Sequence, residues 1–240
     1  MIKNPIFLSA EWRKLALANY EVDKEILQKY LPPFTELDDW QGKYYVSLVG
    51  FMFMDTKLRG FGIPFHINFE EVNLRFYVKY NDAGTWKRGV VFVKEIVPKP
   101  AITFVANTVY KENYQTLPMK HKWEVKDDSL LVAYLWKTKN WNKFSVIANS
   151  TSEVMPVGSE EEFITEHFWG YTKLGPNLTS EYEVQHPRWE VYPVKEYDID
   201  VDFGANYGKD FAFLANEKPV SVMLAEGSPI RVLKGKKIKG

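Results

Sequence analysis

Apolar and polar residues alternate along much of the chain, which is the pattern that predicts β-strands. In segment 66–80 the two alternating sets are Val72, Leu74, Phe76 and Val78 on one face and Glu71, Asn73, Arg75 and Tyr77 on the other. Residues 81–84 have the composition of a turn, and 89–97 is a second run rich in β-branched residues. The two runs therefore predict a β-hairpin.

Further segments extend the same pattern. Segment 44–54 is apolar at both alternating sets of positions, which predicts a strand buried on both sides. Strands are also expected at 14–22, 120–125, 130–137, 143–150, 181–191, 194–203 and 219–224, and short helices at 24–31, 101–110 and 159–168. No internal repeat or low-complexity linker interrupts them. We therefore expect one mainly β domain over residues 1–240.

Composition removes several classes of function. The chain has no cysteine, which excludes disulfides, zinc–thiolate sites, iron–sulfur clusters and a cysteine nucleophile. Lys plus Arg and Asp plus Glu both number 31, so the basic excess of a nucleic-acid-binding protein is missing. The lysines of segment 234–239 are interpreted as a solvated tail. No stretch approaches the roughly 20 apolar residues of a membrane helix, and residues 1–8 do not read as a signal peptide, so we expect a cytoplasmic protein that binds neither nucleic acid nor membrane.

Sequence motifs for common reactions are also missing. There is no Gly-x-Ser-x-Gly elbow, no Walker loop and no dinucleotide fingerprint. The four histidines, including His66, do not pair at metal-ligand spacing, so the sequence predicts neither a metal site nor a cofactor.

Two groups of polar residues remain as candidates for chemistry. Glu71, Asn73 and Arg75 project from one face of the predicted strand, roughly 7 Å apart in succession, and line either solvent or a polar interior. Lys111 follows the predicted helix 101–110. A lysine nucleophile must lose its proton, whereas the adjacent Glu112 favours the charged ammonium; a surface lysine is the alternative.

Several longer segments resemble a known group of proteins. They are Glu-Ile-Leu-Gln-Lys-Tyr-Leu-Pro at 25–32, Gly-Lys-Tyr-Tyr-Val-Ser-Leu-Val-Gly-Phe-Met-Phe at 42–53, Pro-Phe-His-Ile-Asn-Phe-Glu-Glu-Val-Asn-Leu-Arg-Phe-Tyr-Val at 64–78, and Glu-Val-Gln-His-Pro-Arg-Trp at 183–189. Over nearly the whole chain the sequence resembles the YqjF-like bacterial proteins, a family of unknown function. That family is similar to the acetoacetate decarboxylase superfamily, which implies a closed, bent antiparallel β-barrel with a few short helices and a central pocket.

The resemblance also implies site residues. Arg13 and Glu71 fall where the decarboxylases have a pocket arginine and a pocket glutamate, and Lys111 lies near their lysine pair, of which one member forms a Schiff base with a β-keto acid. The second lysine of that pair is replaced here by Glu112. A second acidic pocket residue has no counterpart in 44–54.

Three functions follow as hypotheses. The preferred one is binding of a small organic acid or carbonyl compound in the barrel by Arg13, Glu71, Asn73 and Arg75, with His66 as a further ligand contact. The second is an enzyme that acts on a keto acid through a Lys111 Schiff base, with Glu71 as the other catalytic residue. The third is a non-catalytic homo-oligomer, for whose interface Trp136, Trp141 and Trp169 are candidates, although packing in the core is the favoured interpretation of each.

Overall fold

The computed structural model of the protein describes residues 5–239, apart from the side chain of Val109. Residues 1–4, which belong to the N-terminal segment considered for a signal peptide, lie outside this range. The protein is mainly β. The strands of the described residues are β1 Ile6–Glu21, β2 Glu36–Leu37, β3 Tyr45–Leu58, β4 Phe61–Gly62, β5 Phe69–Asp82, β6 Thr85–Val97, β7 Tyr114–Thr116, β8 Met119–Lys126, β9 Ser129–Lys137, β10 Trp141–Asn149, β11 Glu153–Val154, β12 Trp169–Gly175, β13 Leu178–Gln185, β14 Glu190–Tyr192, β15 Val194–Asp200, β16 Ser221–Leu233 and β17 Lys236–Lys239.

Short helices connect these strands. They are α1 Lys24–Gln28, α2 Pro100–Val105, α3 Glu160–Thr165 and α4 Phe203–Tyr207, with a π-helical turn at Ala106–Tyr110 and a 3₁₀ helix at Lys209–Asn216. Ser159 caps α3 through its side-chain oxygen, which accepts a hydrogen bond from the Glu162 amide, as the sequence predicts. The helix expected at 101–110 forms as α2 and the π-helical turn that continues it.

The large sheet follows the strand order β16-β1-β3-β5-β6-β12-β13. All these neighbours pair antiparallel except β6 and β12, which run parallel. β13 then pairs with β16 again, through Val184 opposite Val232 and Gln185 opposite Arg231. The hydrogen-bonded neighbours therefore form a ring, in which the predicted hairpin is β5 and β6.

The two faces of the ring strands have different partners. On the outer face, Val72, Leu74 and Phe76 of β5 pack with Val132 and Trp136 of a second, antiparallel sheet of order β15-β10-β9-β8. The inner face belongs to a separate apolar cluster, which includes Leu17, Val49, Phe51, Phe53 and Trp189. Polar side chains on the inner face of β5 therefore point towards the inside of the ring.

A bulge in β1 changes which of its residues face inward. Before the bulge, even-numbered residues such as Ala10 and Trp12 face inward. After the bulge, odd-numbered residues such as Leu15 and Leu17 face inward instead. Lys14 adopts a left-handed conformation with φ of 55° at this point. The bulge therefore leaves residues 13 and 14 together on the outer side.

The fold corrects the expectation for the lysine-rich tail and shows the environment of the three candidate interface tryptophans. The lysine-rich tail is not simply solvated, because residues 236–239 form β17 against β13 and the Lys236 ammonium lies 3.1 Å from Asp82 Oδ2. Trp136 is fully buried, in agreement with the favoured core interpretation, and donates from its indole to Asn206 Oδ1, so it is not available for an oligomer interface. Trp141 remains exposed, and Trp169 is half-buried beneath the Lys87 ammonium.

The bulge generates a first prediction. Gly227 lies opposite Arg13 with φ of 81°, and a Cβ atom there would lie 2.0 Å from the Trp12 carbonyl oxygen. We expect Gly227→Ala to lower the free energy of unfolding by more than about 1 kcal/mol, because both the backbone conformation and the close approach exclude a side chain. Urea denaturation measures this. Gly175→Ala is the control, since the nearest atom is 4.0 Å from its added Cβ; equal losses in the two variants would contradict the prediction.

Candidate functional site

Three polar side chains line the inner face of β5. Glu71, Asn73 and Arg75 are 2%, 1% and 8% exposed. Phe51 and Val49 of the inner cluster lie directly opposite Glu71 and Asn73 on β3. Of the two alternatives left open by the sequence, the solvent-exposed face is therefore wrong, and the polar interior is what the structure contains.

Hydrogen bonds connect these side chains to one another and to their surroundings. Asn73 Nδ2 donates to Glu71 Oε1 at 2.9 Å, and the Tyr114 hydroxyl donates to Glu71 Oε2 at 3.4 Å. Arg75 Nη2 donates to the Ile164 carbonyl oxygen at 3.3 Å, and its guanidinium lies 5.9 Å from the centre of the Tyr77 ring. Arg75 is thereby held by α3 and by its own strand.

A second buried carboxyl group comes from β6. Glu95 is 3% exposed and lies directly opposite Asn73. The register between the two strands shifts after Leu74, so that Phe92 instead of Val93 lies opposite Arg75. Because of this extra residue, Phe92 and Glu95 both reach the inner face.

A third carboxyl group comes from the segment that follows the π-helical turn. Lys111 adopts a left-handed conformation with φ of 60°, and its amide donates to the Ala106 carbonyl oxygen. The chain reverses there, and Glu112 turns towards β12, where Thr172 Oγ1 donates to Glu112 Oε1 at 2.7 Å. Asn107 accepts from the amide of Tyr114 and donates to its carbonyl oxygen, which fixes β7 beside β6.

Burial dominates the ionisation of this cluster. It raises the pKa of Glu71 to about 7, although hydrogen bonds from Asn73 and Tyr114 oppose the change. It also raises the pKa of Glu112 to about 7. The pKa of Glu95 lies well above its ordinary value because of burial and because of repulsion from Glu71 and Glu112. We call Glu71, Glu95 and Glu112 the inner carboxyl cluster.

Three polar atoms around this cluster have no hydrogen-bond partner among the described residues. They are Asn73 Oδ1, Arg75 Nε and Glu95 Oε2. An unsatisfied buried donor or acceptor costs about 1–3 kcal/mol. Two acceptors and one donor without partners on neighbouring strands indicate a place where another molecule can supply the missing groups.

Lys111 is not part of the site that the structure brings together. Its side chain is exposed, whereas its neighbour Glu112 occupies the inward position. An imine-forming lysine needs burial or a neighbouring cation to lose its proton. The expected role of Lys111 as a catalytic residue therefore has no support in this geometry.

Arg13 and His66 also lie apart from Glu71. The bulge in β1 directs Arg13 outward, where Nε lies 2.9 Å from Glu11 Oε2 and Nη1 lies 3.4 Å from Glu226 Oε1. His66 lies half-buried in the loop before β5, with Nδ1 2.9 Å from the Pro64 carbonyl oxygen. Of the expected ligand-binding residues, the structure groups Glu71, Asn73 and Arg75.

Sequence reasoning missed Glu95 as a member of this group and considered Glu112 only for its effect on Lys111. A usable signal for Glu95 was present, because it is a carboxylate within the apolar run 90–97. A glutamate at such a position is either solvated or buried for a reason. No comparable signal marks Glu112, whose direction depends on the conformation of Lys111.

A further ionisable pair lies beyond Arg75. His167 is 8% exposed, and its Nε2 lies 3.1 Å from Asp38 Oδ2. Burial lowers the pKa of His167 to about 4, against the effect of Asp38, so the ring is neutral at pH 7. The rings of Tyr77 and Phe163 enclose it at 4.8 and 5.0 Å.

Other kinds of site are less well represented. Within residues 5–239, no group of three or more His, Cys, Asp or Glu is arranged to hold a metal ion. Two surface hollows of about 340 and 520 Å³ lie elsewhere, and neither is lined by the inner carboxyl cluster. None of the helices in the described part of the chain is long and apolar enough to cross a membrane.

Sequence comparison assigns the chain to a family. The family DUF2071, described as "Uncharacterized conserved protein (COG2071)", matches residues 9–229. The chain therefore belongs to this family. Uncharacterized protein YqjF of Bacillus subtilis (strain 168) is 27% identical over 183 residues, which cover 74% of this chain and 72% of YqjF. The resemblance seen in the sequence is thus confirmed.

Solved structures show which fold this family member shares. Acetoacetate decarboxylase from Legionella pneumophila subsp. pneumophila str. Philadelphia 1 matches with a TM-score of 0.66 and 15% identity, over 97% of this chain and 87% of the decarboxylase. The enduracididine biosynthesis enzyme MppR complexed with pyruvate matches with a TM-score of 0.66 and 13% identity, over 99% and 91% of the two chains. The fold is thus acetoacetate decarboxylase-like.

The inner carboxyl cluster predicts how stability depends on pH. A carboxyl group whose pKa is raised by folding holds its proton more tightly in the folded chain than in the unfolded chain. Its contribution to stability is complete below its ordinary pKa of 4.5 and is lost as the pH rises through about 7. The glutamine side chain in the variant Glu112→Gln cannot ionise. We therefore expect the free energy of unfolding to fall less between pH 5 and pH 8 in this variant than in the native protein. The difference between the two decreases should be about 1.4 kcal/mol for each unit by which folding raises the pKa of Glu112.

Urea denaturation at the two pH values tests this expectation. Glu196→Gln, at an exposed position of β15, serves as the matched control and should follow the native profile. If Glu112→Gln loses as much stability as the control, Glu112 ionises as freely in the folded chain as in the unfolded chain.

Proposed function

We propose that the ring is a closed, bent barrel that binds a small organic acid or carbonyl compound on the inner face of β5 and β6. Arg75 receives the carboxylate of this ligand, and Glu71 and Asn73 contact its second polar group. The observation that carries the proposal is the unpartnered Nε of the buried Arg75, next to two unpartnered acceptors on the same face. Buried polar groups that converge in this way are typical of ligand sites.

Two tyrosines that interact with the inner carboxyl cluster support the proposal. Burial raises the pKa of Tyr114 and Tyr182 well above the ordinary value, so both phenols lie deep in the protein. Both side chains nevertheless keep accessible surface and are only half-buried. In the proposed site, this accessible surface of the two tyrosines faces the ligand.

An aromatic wall completes the site. Trp12 contacts Phe51 and Phe53 at ring-centre distances of 5.4 and 5.9 Å, and Phe53 stacks on Phe69 at 4.7 Å. These rings exclude bulk water from the neighbourhood of Glu71, which lies opposite Phe51. A low local dielectric strengthens the attraction between a guanidinium and a carboxylate. The MppR structure with pyruvate shows a protein of the same fold with a small keto acid.

Binding of small carboxylates to paired arginine variants tests the proposal. We expect pyruvate and other short carboxylates to bind the native protein and to bind Arg75→Gln about 10- to 100-fold more weakly, because a hydrogen bond to a charged group contributes about 1.5–3 kcal/mol. Isothermal titration calorimetry measures both affinities. The matching amides, which lack the charge, should bind the two proteins with similar affinity.

Arg13→Gln is the matched control, because Arg13 carries the same charge on the same ring but on its outer side. It should bind the carboxylates like the native protein. Equal effects of the two substitutions, or the loss of binding only in Arg13→Gln, would contradict the proposed site.

A further inference from the structure

The unpartnered acceptors of the site form a second binding position, separate from Arg75, which we call the second pole. Asn73 Oδ1 and Glu95 Oε2 make no hydrogen bond to the described residues, although the Tyr114 hydroxyl lies near enough to influence the Glu95 carboxyl group, and Asn73 and Glu95 lie directly opposite each other on β5 and β6. The Asn73 amide nitrogen donates one of its hydrogens to Glu71, whereas the Asn73 side-chain oxygen accepts no hydrogen bond from the described residues. Once Glu95 is ionised, both oxygens are acceptors, and a group that satisfies both must carry at least two hydrogens on one donor atom or on one compact donor group.

Charge points to the same kind of group. Three carboxyl groups share the region with one guanidinium, and the attraction that stabilises ionised Glu71 comes from Arg75 alone among the charged groups that influence it. Repulsion from Glu71 and Glu112 acts on Glu95. A cation at this pole favours ionised carboxylates, whereas a second anion increases the repulsion. The charged and titratable groups that interact with Glu95 are Glu71 of β5, Glu112, Tyr114 of β7 and Tyr182 of β13, and Arg75 interacts with Glu71 and Tyr182.

The two poles are separated by one strand repeat. Asn73 and Arg75 are two residues apart on the same face, so their Cα atoms lie about 7 Å apart along the strand. Arg75 offers Nε to an anion, and the pair Asn73 and Glu95 offers oxygens to a cation. A carboxylate and a protonated nitrogen that are joined by a few carbon atoms span this separation.

We infer that the ligand is a small zwitterion, whose carboxylate is bound by Arg75 and whose ammonium or related nitrogen cation is bound by Glu95 and Asn73. This inference rests on the proposed function and narrows the ligand class from organic acids in general to amino acids and amino-keto acids. Glu95 is thereby the residue that selects against acids without a cationic group.

Matched pairs of ligands test the inference on the full-length protein. The probes are glycine, 3-aminopropionate, 4-aminobutanoate and 5-aminopentanoate, each paired with the hydroxy acid of the same length, and affinity is measured by calorimetry. For at least one length we expect the amino acid to bind at least about tenfold more tightly than its hydroxy partner. Glu95→Gln should reduce this preference to about twofold or less and keep the affinity for the hydroxy acid, while the exposed control Glu196→Gln should keep the preference.

Proton release gives a second readout that needs no variant. A bound cation favours loss of protons from the inner carboxyl cluster, so binding of the preferred amino acid near pH 7 should release protons, seen as a dependence of the binding enthalpy on the ionisation enthalpy of the buffer. If hydroxy acids bind as tightly as amino acids and no protons are released, the inference is wrong while the proposed function stands. If no carboxylate binds at all, both are wrong.

Discussion

Burial of the carboxyl groups of Glu71 and Glu95, together with the half-buried Glu112, near the guanidinium of Arg75 is the constraint on which the interior of this protein depends. Glu71, Glu95 and Glu112 lie among aromatic and aliphatic side chains, where an ionised carboxylate without a partner is strongly disfavoured. The carboxyl groups of the cluster therefore have raised pKa values and keep their protons, instead of ionising and forming ion pairs. A core optimised only for packing would place apolar residues at these positions, and the unpartnered atoms of Asn73 and Arg75 show that internal hydrogen bonds do not complete the group.

Three local irregularities of the backbone arrange this interior. The bulge at Lys14 keeps Arg13 on the outside, and the extra residue at Val93 brings Glu95 inward. The left-handed conformation of Lys111 exposes its own side chain and turns Glu112 towards β12. Without the two strand irregularities, the side chains on one side of each would point to the opposite face, because a shift by one position moves a side chain to the other side of a sheet. The acidic character of the site is therefore set by backbone conformation as much as by composition.

The same irregularities explain how far the sequence could predict the site. Strict alternation was enough to place Glu71, Asn73 and Arg75 on one face of a strand and to predict the hairpin of β5 and β6. Alternation distinguishes the two faces of a strand, but it does not show which face is exposed to solvent. In this protein the exposure of each face depends on the second sheet, which covers the face of β5 opposite to Glu71. Glu95 could not be assigned to the same face, because the register shift at Val93 leaves no mark in the pattern of apolar residues.

The protonation state of the inner carboxyl cluster is the most direct test of this account. Carbon-13 chemical shifts of labelled glutamate side-chain carboxyl groups report it, with Glu71→Gln, Glu95→Gln and Glu112→Gln assigning the signals. We expect three glutamates that still carry their protons at pH 6, well above the ordinary pKa of 4.5. Titration of every glutamate in the protein near 4.5 would mean that these carboxyl groups are hydrated, and would contradict a buried acidic site.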